Sequence, residues 1–269
     1  MLIIFDIGNT NITIGLFWGS GGKAALSKTA NDKPIKVWRL STLNGGTADE
    51  YGIFITNIFN QASIDIQDIK AVAIASVVPS LNLVFETLSK QLIGKKPFFI
   101  NQKNSGGLKI KLQNPKELGA DRIANAAAAF SLFGGGCIVI DFGTATTFDC
   151  IDLKGRYIGG AIALGPNLAA QALNLRAAQL PLVEMKNPQK AIGTSTVECI
   201  QSGLYYGYIG LIKEILARTK KEMKIRHIIA TGGLAQIMSE AIEEIESVEP
   251  DLTLQGIKII WENSNRKSN

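Results

Sequence analysis

The chain has 269 residues, is 46% hydrophobic, and carries 28 basic against 23 acidic residues for a formal charge of +5. That length and apolar content accommodate one large or two medium α/β domains; the basic residues are spread out, several of them in Lys23–Arg39 and at the C-terminus, which makes a solvated surface and not a nucleic-acid groove. Cys137, Cys150 and Cys199 lack C-x-x-C spacing, which argues against a disulfide framework or a zinc site, and the longest mostly apolar run, Ala126–Ile140, falls short of the ~20 residues a membrane span needs.

The apolar start has no basic leader and is interrupted by Asp6, Asn9 and Asn11, a poor signal peptide, so the expected setting is reduced and cytoplasmic. The segment LIIFDIGNTNITIGLF (Leu2–Phe17) reads as strand, Asp-x-Gly turn and second strand. Glycine lets the backbone come close to a ligand, and turn N–H groups with Thr and Asn side chains can donate to phosphate oxygens. An Asp beside them can hold magnesium directly or through its waters. One such motif could be an ordinary hairpin turn.

Gly19–Pro34 reads as a surface loop, Ile35–Leu40 as a strand, and Ala48–Asn60 as a helix with Tyr51, Phe54, Ile55 and Ile58 at helical spacing. AVAIASVV (Ala71–Val78) is a continuous apolar strand ending at Pro79, the pattern of a strand buried on both faces. Asn114, Pro115 and Glu117 have the spacing of a helix N-terminus, and the expected helix runs to Ala129 or Phe130. Its polar face carries Asp121 and Asn125, with Ile123, Ala126, Ala127 and Phe130 inward. The domain change is expected near this helix, giving residues 1–118 and 119–269.

CIVIDFGTATTFDC (Cys137–Cys150) then repeats the opening motif half a chain later, with Asp141 in the place of Asp6. Internal repetition takes precedence over local reading. A duplicated strand, Asp-x-Gly and strand unit resembles the superfamily of sugar kinases, heat-shock ATPases and actin, which implies two related actin/ribonuclease-H-like α/β domains with an ATP cleft between them. Gly155–Asn167 reads as a turn-rich passage into a helix over Leu168–Ala178, Thr196–Glu222 as a long helix or helix pair, and His227–Gly233 as a strand running into a Gly-Gly turn. The Thr231–Gly233 turn and the GADR segment (Gly119–Arg122) could contact ligand or be a tight βα turn and a local Asp–Arg pair. The single histidine, His227, reads as structural, and Tyr205, Tyr206 and Tyr208 as core or interface. NSNRKSN at the end reads as a disordered polar tail.

FDIGNTN, WRLST with TADEYG, ASVVP, NPKELGADRIANA, IDFGTATTFD, GGAI, IG-x-x-T with IQSG, and ATGG occur in order across nearly the whole chain, and in this the sequence resembles the type III pantothenate kinases. The resemblance implies phosphorylation of pantothenate by ATP in a homodimer; the charge distribution and the short apolar runs add the expectation of no nucleic-acid or membrane binding. It implies that Asp6 organises magnesium and phosphates, and that Asp6, Ile7, Gly8, Asn9, Thr10, Asn11, Ile12, Thr13 and Thr144 bind ATP. Gly119, Ala120, Asp121, Arg122 and Thr196 would bind substrate, with Asp121 as the base. Asp141 would hold a monovalent cation, potassium or ammonium. Leu112 departs from a Tyr found in many relatives, and Leu164-Gly165-Pro166 from a Pro-Gly after GGAI. Two alternatives stand beside this reading: another small-molecule kinase or phosphatase of the superfamily, and a regulator that kept the fold without catalysis.

Overall fold

The computed structural model describes residues 1–19, 33–43, 45–177 and 179–266. Most of the expected Gly19–Pro34 loop and the last three residues of the tail lie outside that range. The chain forms two compact units, Met1–Ser131 with Asp251–Asn269, and Leu132–Pro250.

In the first unit β1 (Leu2–Ile7) pairs antiparallel with β2 (Asn11–Phe17), and β2 with β3 (Lys36–Ser41). After α1 (Ala48–Gln61) the chain returns as β4 (Ala71–Ser76), parallel to β1, then passes through α2 (Pro79–Leu88) to the short β5 (Phe98–Phe99), giving the order β3-β2-β1-β4-β5. The short β6 (Lys109–Ile110) follows. α1 starts at a capping box in which Thr47 Oγ1 accepts from the Glu50 N–H and Glu50 Oε2 accepts from the Thr47 N–H at 2.8 Å. Its buried side chains are Tyr51, Ile55 and Phe59, one every turn; Phe54, expected inward, is half exposed.

The expected helix from Pro115 is two pieces. Asn114 caps only a single turn (Pro115–Glu117), the chain straightens at Leu118, and α3 runs from Ala120 to Phe133. Asn125 is fully buried instead of solvent-facing, accepting from Thr253 Oγ1 at 2.8 Å, while Phe130 points outward. The partner is α7 (Leu252–Arg266), a helix not anticipated, which takes in the first residues of the supposed tail. Its Gly256 lies so close to α3 that a Cβ there would overlap the Ala124 carbonyl. Small residues on both helices permit this approach; α7 also packs on β1 and β4, and it lies in the first unit with α3 as far as Ser131, whereas the sequence reading divides the chain after 118.

The second unit repeats the plan. β7 (Cys137–Phe142), β8 (Ala145–Ile151) and β9 (Arg156–Leu164) form an antiparallel meander, and β10 (His227–Gly232) lies parallel to β7 with β11 (Ser247–Val248) beyond it. Within this unit the order β9-β8-β7-β10-β11 matches β3-β2-β1-β4-β5 strand for strand, so the mixed α/β fold is a duplicated one. β9 occupies most of the passage expected to be turns. α4 (Pro166–Arg176), the single 27-residue α5 (Thr196–Glu222) and the short α6 (Ala235–Ser239) complete the unit. α5 buries Tyr205 and Tyr208 against Ile138, Ile140 and Phe148, leaving Tyr206 exposed.

The α3–α7 contact is testable by substitution. Gly256→Val should destabilise the fold by about 1–3 kcal/mol through overpacking. Gly52→Ala, in α1 with its nearest neighbour at 4.0 Å, should stabilise it by about 0.5–1 kcal/mol. Urea denaturation of both variants checks the pair.

Candidate active site

Asp6 stands at the end of a strand whose Leu2, Ile3, Ile4 and Phe5 are buried. Burial of those side chains, roughly 1.5–3 kcal/mol each, fixes where the strand ends. The carboxylate stands half-buried at the sheet margin, where water can still reach it. The turn that follows is tight: the Gly8 N–H donates to the Asn11 carbonyl at 3.0 Å, so it is already engaged, and Asn9, Thr10 and Asn11 are exposed. Ile7 and Ile12 face each other across the hairpin, both buried in the core. Of the residues in this motif they can offer a ligand only backbone, and Thr13 is half-buried one position further along β2.

The GADR segment lies at the same end of the sheet. The Val77 N–H donates to the Ile7 carbonyl at 3.0 Å, and the methyl Cγ1 of Val77 is 3.4 Å from where a Gly119 side chain would begin. Gly119 and Asp121 are thereby brought next to the Asp6 hairpin. Asp121 sits in the first turn of α3, where its Oδ1 accepts from the Arg122 N–H at 2.8 Å. A Cβ on Gly119 would overlap that same oxygen, so the glycine makes room for the carboxylate. Ala120 is buried and presents no side chain outward. Burial pushes the Asp121 carboxyl above its usual range; the Arg122 N–H and guanidinium pull it back without overcoming the burial. The helix-terminus expectation of a favoured anion is therefore outweighed by desolvation, and the result is a more basic carboxylate.

In the second unit Asp141, Thr144, Gly165 and the Thr231–Gly232 turn come together. Thr147 of β8 and Thr231 of β10 stand opposite Asp141 in register. Gly232 adopts φ +90° with its Cβ position 2.6 Å from Asp141 Oδ1, so no side chain can stand between that turn and the carboxylate. The Gly165 N–H donates to the Thr144 carbonyl at 3.1 Å, and the space a side chain would need is filled by the Gly143 and Thr144 carbonyls. This accounts for glycine in the Leu164-Gly165-Pro166 departure. Thr196 is exposed at the first position of α5, after the cap Ser195; Gly193 packs against the helix's first turn, with Cys199 N 2.5 Å from its Cβ position. Among the described residues no group of three or more His, Cys, Asp or Glu could hold a metal on its own, which leaves single carboxylates such as Asp6 and Asp141. No helix among them is long and apolar enough to cross a membrane.

The type III pantothenate kinase family model matches residues 2–218. The chain belongs to that family. A type III pantothenate kinase of Endomicrobium trichonymphae is 56% identical over 262 residues, covering 97% of this chain and 99% of that one. Another, from Moorella thermoacetica, is 42% identical over 265 residues, covering 98% of this chain and 100% of its own length. Among solved structures, the activator of 2-hydroxyisocaproyl-CoA dehydratase from Clostridium difficile, with bound ADPNP, has a TM-score of 0.55 at 12% identity, over 99% of this chain and 97% of that one. That likeness speaks to the fold alone.

For a type III pantothenate kinase the sequence reading overlooked one residue beside the Asp6 turn. Thr42, just after β3, donates from its hydroxyl to the Gly8 carbonyl at 2.7 Å. The residue lies inside the WRLST motif, but only its register opposite Thr10 reveals the contact.

A raised Asp121 pKa has a definite stability consequence. The folded protein holds that proton more tightly than the unfolded chain, so ionising Asp121 at pH above the unfolded value of about 3.9 costs stability. Asp121→Asn should therefore melt above the parent at pH 7, with the difference closing as pH falls below about 4. A variant melting below its parent at pH 7 would contradict the burial assignment. Gly119→Ala, which displaces the carboxylate, should cut kcat by about tenfold or more while nucleotide affinity holds.

Proposed function

We propose that this chain transfers the γ-phosphoryl group of ATP to the primary hydroxyl of pantothenate, giving 4′-phosphopantothenate, the first step toward coenzyme A. The observation that carries the reading is Asp121: a half-buried carboxylate made more basic by desolvation, with a glycine clearing space beside it, next to the Asp6 hairpin, in a member of the type III pantothenate kinase family. Phosphoryl transfer has a loose transition state, so alignment and charge neutralisation do most of the work. Asp121 accepts the hydroxyl proton late in the reaction, and burial makes it better suited to that than an exposed aspartate.

Asp6 would hold magnesium, the divalent ion that accompanies ATP; Gly8, Asn9, Thr10 and Asn11 would contact the phosphates, and Thr144 of the second unit would be a further ATP-binding residue. Gly119, Ala120, Arg122 and Thr196 would bind pantothenate. Asp141 would hold the monovalent cation, potassium or ammonium, which supplies positive charge near the nucleotide. One feature fits that ion: the buried Thr147 Oγ1, opposite Asp141, has no hydrogen-bond partner among the described residues. A hard cation between the two oxygens would satisfy it. The same reading makes the protein a cytoplasmic homodimer, in which Thr196 acts with residues of the second copy.

Coupled ADP release tests this directly. Turnover should require pantothenate and should fall when sodium replaces potassium; Asp121→Asn should lose about 10²-fold or more of the rate while still binding ATP. ATP turnover indifferent to pantothenate would favour another kinase of the superfamily, and none in either salt would favour a regulator.

A further inference from the structure

An acceptor facing a triphosphate would repel it, and two carbonyls of the proposed phosphate turn, those of Gly8 and Thr10, are engaged elsewhere. Each belongs to a planar trans peptide whose N–H points the opposite way, so a peptide flip would exchange a donor for an acceptor at the nucleotide. Both are engaged by one residue. The Thr42 hydroxyl donates to the Gly8 carbonyl at 2.7 Å, and the Thr42 N–H donates to the Thr10 carbonyl at 2.9 Å. Holding the Gly8 carbonyl toward Thr42 turns the Asn9 N–H of the same planar peptide the opposite way, and Asn9 itself is exposed.

Thr42 is itself held. The next residue, Leu43, donates its N–H to the buried Tyr51 hydroxyl at 3.0 Å, tying the segment to α1. Tyr51 packs against Phe85 with ring centroids 5.0 Å apart, so the tie reaches the core of the first unit.

The duplicated unit supplies an internal comparison. Ser41 pairs with Asn11 at the end of β3, and Leu164 with Ala145 at the end of β9, so Thr42 and Gly165 are equivalent. Gly165 keeps the backbone clasp, its N–H on the Thr144 carbonyl at 3.1 Å, but has no side chain, and the Gly143 carbonyl lies 2.6 Å from its Cβ position. The hydroxyl contact is thus particular to the turn that follows Asp6.

We infer that Thr42 is a positioning residue for ATP: its hydroxyl latches the Gly8–Asn9 peptide in the orientation that presents N–H, not C=O, to the phosphates. The latch rests on the reading of the Asp6 hairpin as the phosphate site.

The test measures Mg-AMPPNP binding by calorimetry and steady-state kinetics for the full chain, Thr42→Val and Thr42→Ser, with melting temperatures as a check on folding. Valine keeps the shape and the backbone N–H and removes the hydroxyl. It should weaken AMPPNP binding and raise KM for ATP by about tenfold, the scale of one lost hydrogen bond with an unsatisfied acceptor. KM for pantothenate should stay within about twofold, and serine should restore nucleotide affinity to within about threefold. A folded valine variant that binds AMPPNP like the parent overturns the latch, as does a serine variant no better than valine. If valine does not fold, Thr42→Ala carries the same expectation. A parent that binds AMPPNP but shows no pantothenate-dependent turnover removes the substrate reading while the latch is still judged by the variants; a parent that binds no nucleotide overturns both.

Discussion

The structure depends on a restriction that burial places on charge. β1 and β7 run through the middle of their sheets with nearly every side chain out of water, and their aspartates stand where the strand emerges, whereas the fully buried Asp149 of β8 is held by a hydrogen bond from the Tyr157 hydroxyl at 2.8 Å. Asp6 and Asp141 occupy equivalent positions on those strands, each followed within two residues by glycine and a sharp turn. Apolar burial thus locates the carboxylates, and the turns beside them supply polar backbone at the sheet edge.

From that shared plan the two units diverge at their turns. In the first, a threonine hydroxyl and the GADR segment are added around the Asp6 hairpin, and burial makes Asp121 more basic. In the second, glycines at 165 and 232 bring backbone against the Asp141 hairpin, and a buried threonine hydroxyl faces the carboxylate's strand. A duplicated hairpin can in this way take different ligands without a change of fold. In the proposed reading the first holds the divalent ion with the phosphates and the second the monovalent ion.

Much of this was legible in the sequence because the signals were local. Apolar runs ending in Asp-x-Gly gave both central hairpins, and β4 and α5 followed from a continuous apolar stretch and a long helical pattern. β9 was misread because Ile158, Ile162 and Leu164 face outward and Gly159 and Gly160 interrupt them, so neither apolar alternation nor composition marks a strand. The break at Leu118–Gly119 was hidden by a good capping sequence at Asn114 that serves only one turn. Local spacing puts Asn125 on a polar face because its partner, Thr253, lies on a helix more than a hundred residues away. The Thr42 contact is invisible for a similar reason: a hydroxyl reaching across a strand pair leaves no periodic trace.

The central claim is that the two equivalent aspartates serve different ions. The most direct measurement titrates magnesium and then potassium against Asp6→Asn and Asp141→Asn, following ATP-dependent turnover and nucleotide binding. The account predicts that Asp6→Asn raises the half-saturating magnesium concentration and leaves the potassium response in place, and that Asp141→Asn does the reverse. Variants that shift both ion responses together, or neither, would contradict it.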